Sequence, residues 1–483
     1  MIESPLLTHL KGYIDGRWVD ADNGKTLAVT NPATGETLAE VPSMSRDETN
    51  RAVAAAKAAL EDAATLEERR AWLERIDETL VENKREIGRI LTMEHGKPWN
   101  EAQGEVEYAA GFFRFCARHI DALRSRTLEE RPRNCAWTVY NRPAGAVALI
   151  TPWNFPIGMI AKKLAPAIAA DCTSVIKPSS KTPLTMLALF QLLEENVGMP
   201  RGKVNLVTGP AGPIGDALCE HPDISVVSFT GSTEVGRELI GKTADQVKKL
   251  TLELGGNAPF LVFDDADLDR AADNLIANKF RGGGQTCVCA NRILVQKGVA
   301  GAFAGRVAER VARMKLGNGL EDGVDLGPLI DRNGYEKVRR HVQDALDKGA
   351  QRVAGEDPGE LDRDWGAFFP PTVLRGITGK MACSREETFG PLVPMLEFED
   401  EPEAVRLAND TEFGLAAYLF TADEERADWI IPRLHFGHVG YNTGTGPTPE
   451  APFGGMKQSG YGREGGLEGL FEFVEVQTVP RGA

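Results

Sequence analysis

The chain has 483 residues, which corresponds to roughly three folding units of about 150 residues each. Hydrophobic residues make up 42% and charged residues 26%, a balance that excludes intrinsic disorder. Lys and Arg total 55 against 70 Asp and Glu, a formal charge of −15, which excludes a general nucleic-acid or anionic-membrane binder. The cysteines are odd in number, seven, and most lie isolated in apolar sequence. They read as buried thiols in a reducing compartment, with no disulfide framework. No basic stretch precedes an apolar run at the N-terminus, and no apolar run reaches 18 residues. The expectation is a cytoplasmic protein without signal peptide or membrane span.

Capping boxes at Ser45/Glu48 and Thr65/Glu68 open the helical N-terminal part. After Thr65, the steps between Leu66, Leu73, Ile76, Leu80, Ile87 and Leu91 predict one amphipathic helix ending near Gly96. The polar segment 127–142, with Trp137 and Val139, suits a hairpin arm. From residue 145 short apolar runs appear at 146–151, 174–177, 204–207, 225–229 and 249–252. Helical segments such as 185–197 and 234–246 separate most of them, which predicts parallel βαβ units. A nucleotide at the C-terminal ends of the strands is the default for that fold. A second α/β region follows: Leu268, Ala271, Ala272, Leu275, Ile276 and Phe280 share a helical face that must stop at Gly282-Gly283-Gly284. Residues 292–296 then read as a strand, and 467–481 alternate like one, at Phe471, Phe473, Val474 and Val476.

Cys287 sits in a glycine-rich loop, where backbone amides and nearby Arg281 are expected to lower its thiol pKa. Nucleophile and inert thiol both remain open for it. Glu253, at a strand end beside Gly255 and Gly256, is either a general base or a solvated surface carboxylate. Asn154, between two prolines, is either an oxyanion donor or a turn residue. Gly231 to Gly236 opens a helix after a strand, so its amides suit a pyrophosphate, although the run is not G-x-G-x-x-G. Gly236 to Thr243 satisfies the phosphate-loop pattern, with 261–264 resembling its acidic partner strand. Six residues separate it from Phe229, however, and its interior residues favour helix, so an NTPase is the remote alternative. His435 and His438 lack a companion cluster and imply no metal.

Taken together, Thr151-Pro-Trp-Asn-Phe-Pro156, Lys177-Pro-Ser-Ser180, Phe229 to Gly236, Glu253-Leu-Gly-Gly256, Gly284-Gln-Thr-Cys287, Glu386-Glu-Thr-Phe-Gly-Pro391 and Pro452-Phe-Gly-Gly resemble the aldehyde dehydrogenase superfamily nearly end to end. The resemblance implies a Rossmann-like cofactor domain (1–126 and 143–252), a related α/β catalytic domain (253–445), and a small β oligomerisation arm with the C-terminal tail (127–142 and 446–483). It implies Cys287 as nucleophile, Asn154 and a backbone N–H at Cys287 as the oxyanion site, and Glu253 as the base that activates water on a thioester. For the cofactor it implies Thr151, Pro152 and Trp153, then Lys177 and Ser179 toward the adenosine ribose. Gly231 and Ser232 fall to the pyrophosphate, and Leu254, Glu387 and Phe389 to the nicotinamide half. Strictly NAD-dependent relatives usually carry Glu where this chain has Ser180, followed by Lys181, so NADP is expected, with NAD also possible.

The subgroup most similar by motif is succinate-semialdehyde dehydrogenase, through Gln285-Thr-Cys-Val-Cys-Ala-Asn-Arg292 and Asn409 to Tyr418. It implies an anionic aldehyde held by Arg281, Lys162 and Thr286. Lys162 stands where that subgroup has arginine, and the loop 446–450 departs from its pattern near Pro447. α-Ketoglutarate semialdehyde and sulfonated aldehydes are the alternatives. The resemblance further implies a homodimer or homotetramer, and a reversible disulfide between Cys287 and Cys289.

Overall fold

The computed structural model describes residues 1–130, 132–359 and 365–482. Five of the predicted apolar runs are strands: Ala146–Ile150, Thr173–Lys177, Val204–Leu206, Ile224–Thr230 and Lys249–Glu253. They run parallel in the spatial order 204, 173, 146, 224, 249. Gly12–Ile14 and Arg17–Val19 extend one edge, and Gly460–Tyr461 closes the other against Lys249–Glu253. Register aligns Ile150 with Lys177 and with Phe229, and Thr230 with Glu253. The segments named from sequence therefore leave the sheet along one edge. The strand order reverses between Ala146–Ile150 and Ile224–Thr230, and a crevice for ligand opens at such a switch point.

A second sheet orders Gln351–Ala354, Thr372–Arg375, Leu392–Phe398, Ala290–Gln296, Ala258–Val262, Ala416–Phe420 and His438–Tyr441, parallel except for its first pair. The helix Pro156–Ala169 is buried along its whole length, including Lys162 and Lys163, and packs against Trp99–His119. In a third sheet Val474–Arg481 pairs along all eight residues with Ala136–Pro143, which also pairs with Arg126–Thr127.

Two sequence expectations change. The helix read through residues 66–91 is two, Leu66–Glu82 and Lys84–His95. Asn83 breaks it by turning its side-chain amide back onto the Thr79 carbonyl at 2.9 Å. The apolar spacing survives because Leu73, Ile76, Leu80, Ile87 and Leu91 all stay buried on one core. In the tail, Gly466–Phe471 is helical, and the strand begins only at Val474.

The second sheet is pinned at its centre by Arg292. Its buried guanidinium donates to the carbonyls of Asn257, Leu407 and Ala408 at 2.7 to 3.1 Å. Arg292→Leu leaves three buried carbonyls without donors. It should cost about 3 kcal/mol or more, read as a lower urea midpoint at unchanged m-value.

Candidate active site

Beyond the strand ends lies a cavity of about 360 Å³ bounded by Trp153, Asn154, Ser232, Cys287, Glu387 and Phe389 among others. Pro152, Gly231 and Leu254 also line it, so most of the sequence-predicted cofactor set meets here. Ser232 caps the helix Thr233–Thr243, its hydroxyl accepting from Val235 N–H at 3.4 Å, and turns that helix's N-terminal amides to the cavity. The buried hydroxyls of Thr151 and Thr230, at the ends of adjacent strands, have no hydrogen-bond partner among the described residues. The Thr230 hydroxyl, a helix N-terminus and Lys337 on the cavity wall fit a dinucleotide. Four predicted cofactor residues are not among those lining this cavity: Thr151, Lys177, Ser179 and Ser180. Lys177 is buried, donates to the Pro178 carbonyl at 2.7 Å, and is pushed down to about 8 by desolvation. Ser179 only accepts from the Lys181 N–H at 3.3 Å. Ser180 lines a neighbouring cavity separated from the first by Lys181 and Asp331, which form an ion pair.

The Cys287 loop follows the helix Leu268–Lys279, as the apolar face and the glycine run predict. Gly284 has φ +73, and a Cβ there would fall 2.4 Å from the Gly390 carbonyl oxygen. A Cβ at Gly256 would fall 2.3 Å from the Cys287 carbonyl oxygen. Only glycine lets the turn after Glu253 and the loop of Cys287 touch. Glu387 and Phe389 reach the cavity on a loop tied down by Asn291, which donates to Asn257 Oδ1 (2.7 Å) and the Glu386 carbonyl (3.1 Å) and accepts from Thr388 N–H (3.1 Å). Phe389 takes φ +56, an uncommon conformation for a non-glycine residue, and meets Trp153 edge-on at 5.6 Å. Burial pushes the Glu387 carboxyl up to about 7, against a hydrogen bond from Gly256 N–H.

The expected low thiol pKa is overturned. Burial, then the Glu387 charge, push Cys287 up to about 12, although Lys162 pulls the other way. Arg281 is not among the charges that move it; its guanidinium lies over the Phe155 ring at 4.8 Å. Asn154 Nδ2 donates to the Gln285 carbonyl at 2.8 Å, two residues before Cys287, and its second amide hydrogen stays available. Sequence reasoning missed what holds Asn154. The buried Lys97 ammonium donates to its carbonyl (2.8 Å) and to Glu105 (2.6 Å), and lies 3.9 Å from the Phe155 ring centre. Glu105 also accepts the N–H groups of Ile157 and Gly158, both at 3.1 Å.

Glu253 is buried beside a second missed group. Glu464 takes Lys163 at 2.5 Å and Lys162 at 3.6 Å, and Lys163 also donates to Ser228 Oγ at 3.1 Å. Burial and the like charge of Glu464 hold the Glu253 carboxyl well above the usual carboxylate range, against Lys162 and Lys163. Burial also opposes the Glu464 charge, but its two lysines keep it below its ordinary value. Burial disfavours the Lys162 ammonium too, yet Tyr108, Glu464 and Glu253 hold it above its ordinary value.

On the other side of the Cys287 loop a second cavity, about 240 Å³, is bounded by Asn278, Arg281, Thr286, Val288 and the turn Gly444–Gly446. The Arg281 guanidinium has no ion pair or hydrogen bond among the described residues. Cys289 lines neither cavity; it is a free thiol buried against Gly284 and Lys279. The phosphate-loop match lies inside the helix Thr233–Thr243, and Lys242 is taken by Asp216 at 2.6 Å, so it supports no NTPase. His438 is engaged with the Thr445 carbonyl at 2.9 Å, and no metal-binding cluster occurs among the described residues. No described helix is long and apolar enough to cross a membrane.

Residues 18–479 match the model of the aldehyde dehydrogenase family. A glutarate-semialdehyde dehydrogenase of Pseudomonas putida is 48% identical over 97% of both chains. A 3-sulfolactaldehyde dehydrogenase of Pseudomonas putida is 47% identical over 99% of this chain and 98% of its own. The NADP(+) succinate-semialdehyde dehydrogenase of Escherichia coli is 46% identical over 97% of both. The crystal structure of an oxidoreductase from Marinobacter aquaeolei superposes with a TM-score of 0.98 at 64% identity, covering both chains fully. The chain belongs to the aldehyde dehydrogenase family. It is an NAD(P)-dependent aldehyde dehydrogenase, similar over its length to the semialdehyde dehydrogenases.

Glu464→Gln removes the like charge beside Glu253 and frees two lysines to attract it. The Glu253 carboxyl should then ionise more readily, and the acid limb of the pH–rate profile should move down by about one unit. A circular-dichroism melt run in parallel should show destabilisation, since two buried ammonium groups lose their partner.

Proposed function

We propose that the chain oxidises a short aldehyde with an anionic far end to its acid, using NADP in preference to NAD. The carrying observation is Arg281: its guanidinium makes no ion pair or hydrogen bond among the described residues, acts on Glu101 only through space, and lines the cavity next to Thr286, one residue from Cys287. A cation left unpaired at a cavity wall suits a carboxylate or sulfonate, which a planar fork grips bidentately. Glutarate semialdehyde, sulfolactaldehyde and succinate semialdehyde, named for the relatives, all carry such an end. Lys162 is a second buried cation, but it is already paired with Glu464.

In this reading the Cys287 sulfur attacks the carbonyl carbon once its proton is lost. The remaining Asn154 amide hydrogen and the Cys287 backbone N–H hold the oxyanion. Bound NAD(P) supplies the hydride acceptor. Glu253 takes a proton from the water that hydrolyses the thioester, and Lys162 and Lys163 favour its carboxylate form. The absence of an acidic side chain at Pro178, Ser179 and Ser180 removes repulsion of a 2′-phosphate, and Lys181 lines the cavity nearby. The same reading assigns 1–126 and 143–252 to cofactor binding, 253–445 to catalysis and the third sheet to assembly. The unpaired outer edge of Val474–Arg481, with Val476 61% exposed, suits a homodimer or homotetramer. Seven free thiols suit a reducing compartment such as the cytoplasm.

The deciding assay measures NADPH and NADH formation with succinate or glutarate semialdehyde against a neutral aldehyde of similar length. The anionic substrates should win on kcat/KM. Arg281→Met should erase about 2 kcal/mol of that advantage, roughly 30-fold, and leave the neutral aldehyde almost unchanged. Equal loss with both aldehydes would reject the anion-binding role.

Asp331 caps the helix Arg332–Asp347, accepting from Gly334 N–H at 2.9 Å, while it pairs with Lys181. Asp331→Asn keeps a good cap and releases the lysine. It should raise kcat/KM for NADP by about five-fold, near 1 kcal/mol, with little change for NAD.

A further inference from the structure

Lys279 is the last residue of the helix Leu268–Lys279 and is 0% exposed. No carboxylate lies within ion-pair distance of its ammonium among the described residues. Its one hydrogen-bond partner among the described residues is the Cys289 sulfur, 3.7 Å from Nζ. A buried ammonium is costly without a good acceptor, and a neutral thiol is a poor one. Cys289 is 4% exposed, and among the described residues its sulfur hydrogen-bonds to this lysine and, at 3.4 Å, to the Gly284 carbonyl. The active-site chemistry uses neither group. The sulfur is thus directed at a lysine, while Cys287, two residues earlier, faces the cofactor cavity.

We propose that Lys279 and Cys289 form a peroxide-driven covalent cross-link, a sulfur–nitrogen bond that spans the nucleophile loop. Once the Cys289 thiol has released its proton to solvent, its sulfur attacks one oxygen of hydrogen peroxide. The O–O bond breaks, sulfenic acid forms, and the departing hydroxide takes a proton from the ammonium to give water. The neutral amine then attacks the sulfenic sulfur; the S–N bond forms as the S–O bond breaks, and a second water leaves. In sum, thiol, ammonium and one peroxide give the S–N link, two waters and one proton. Sulfur is oxidised by two electrons, and the peroxide is reduced. An added thiol restores both side chains by attack on the sulfur, passing through a mixed disulfide. The link joins the helix end at Lys279 to the start of the strand Ala290–Gln296, on either side of Arg281 and Cys287.

The test is peptide mapping of the full-length Cys287→Ser variant after hydrogen peroxide, denaturation, alkylation and trypsin. This variant rules out any bond to Cys287. The expected result is that the peptides 271–281 and 282–292 run as one species, lighter by two hydrogens than their sum. Cleavage after Lys279 and alkylation of Cys289 should be lost in the same molecules. Dithiothreitol before alkylation should restore both, and Lys279→Met, checked by its melting temperature, should abolish the species. Cys289 that stays alkylatable, or is carried on to sulfinic acid with Lys279 still cleaved, overturns the proposal. In the unsubstituted enzyme, a Cys287–Cys289 disulfide that forms equally in Lys279→Met also overturns it.

Discussion

The site depends on satisfying one charge taken out of water. Lys97 has no solvent to bind, so its ammonium must find acceptors within the fold, and it finds the Asn154 carbonyl and Glu105. Removing one partner of such a buried pair strands the other, at about 3–5 kcal/mol. That penalty makes the arrangement stiff. Glu105 in turn receives the first free N–H groups of the helix Pro156–Ala169, so a single carboxylate fixes both the lysine and the start of the helix. Asn154 sits between them with its backbone held and its amide turned to the Cys287 loop. The same helix carries Lys162 and Lys163 onto Glu464. The nucleophile loop, the amide and the cationic cluster are therefore set from one anchored segment.

The electrostatics of the site favour protonated groups. Burial raises Cys287, Glu253 and Glu387 together, and each carboxylate raises the thiol further. Three buried acidic groups this close to one another cannot all ionise cheaply in a low dielectric. Whatever positive charge enters the cavity relieves all of them at once. Lys162 and Lys163 provide the permanent share of that relief from behind Glu253, and Glu464 moderates it. The fold thus sets the reactivity of Cys287 through its surroundings, since its immediate neighbours in sequence are uncharged.

Sequence legibility follows how local each cause is. The parallel strands were readable because each is a short apolar run buried on both faces. The helix within the phosphate-loop match was readable from residue type alone. The break at Asn83 was hidden, since the apolar spacing continues through it. Lys97, Glu105, Lys163 and Glu464 carry no signal in sequence: 57 residues separate Lys97 from Asn154, and 301 separate Lys163 from Glu464. The direction of the Cys287 shift failed for the same reason. Arg281 is near in sequence, yet its side chain is held by Phe155, while the burial that dominates comes from elements far along the chain.

The same distinction bears on where an anionic substrate would be held. The sequence resemblance assigns both Arg281 and Lys162 to the substrate anion, although Lys162 stands where an arginine is expected. In the fold they differ. Lys162 is buried, pairs with Glu464 alongside Lys163, and also feels the nearby Glu253, so its charge is already engaged by protein carboxylates. Arg281 is only half-buried and rests on an aromatic face, which leaves its N–H donors free in the plane of the guanidinium. A substrate anion that displaced Glu464 from Lys162 would forfeit an existing ion pair and disturb Glu253 with it. Meeting Arg281 forfeits no protein contact, so the free energy of anion binding adds to affinity there without moving the base.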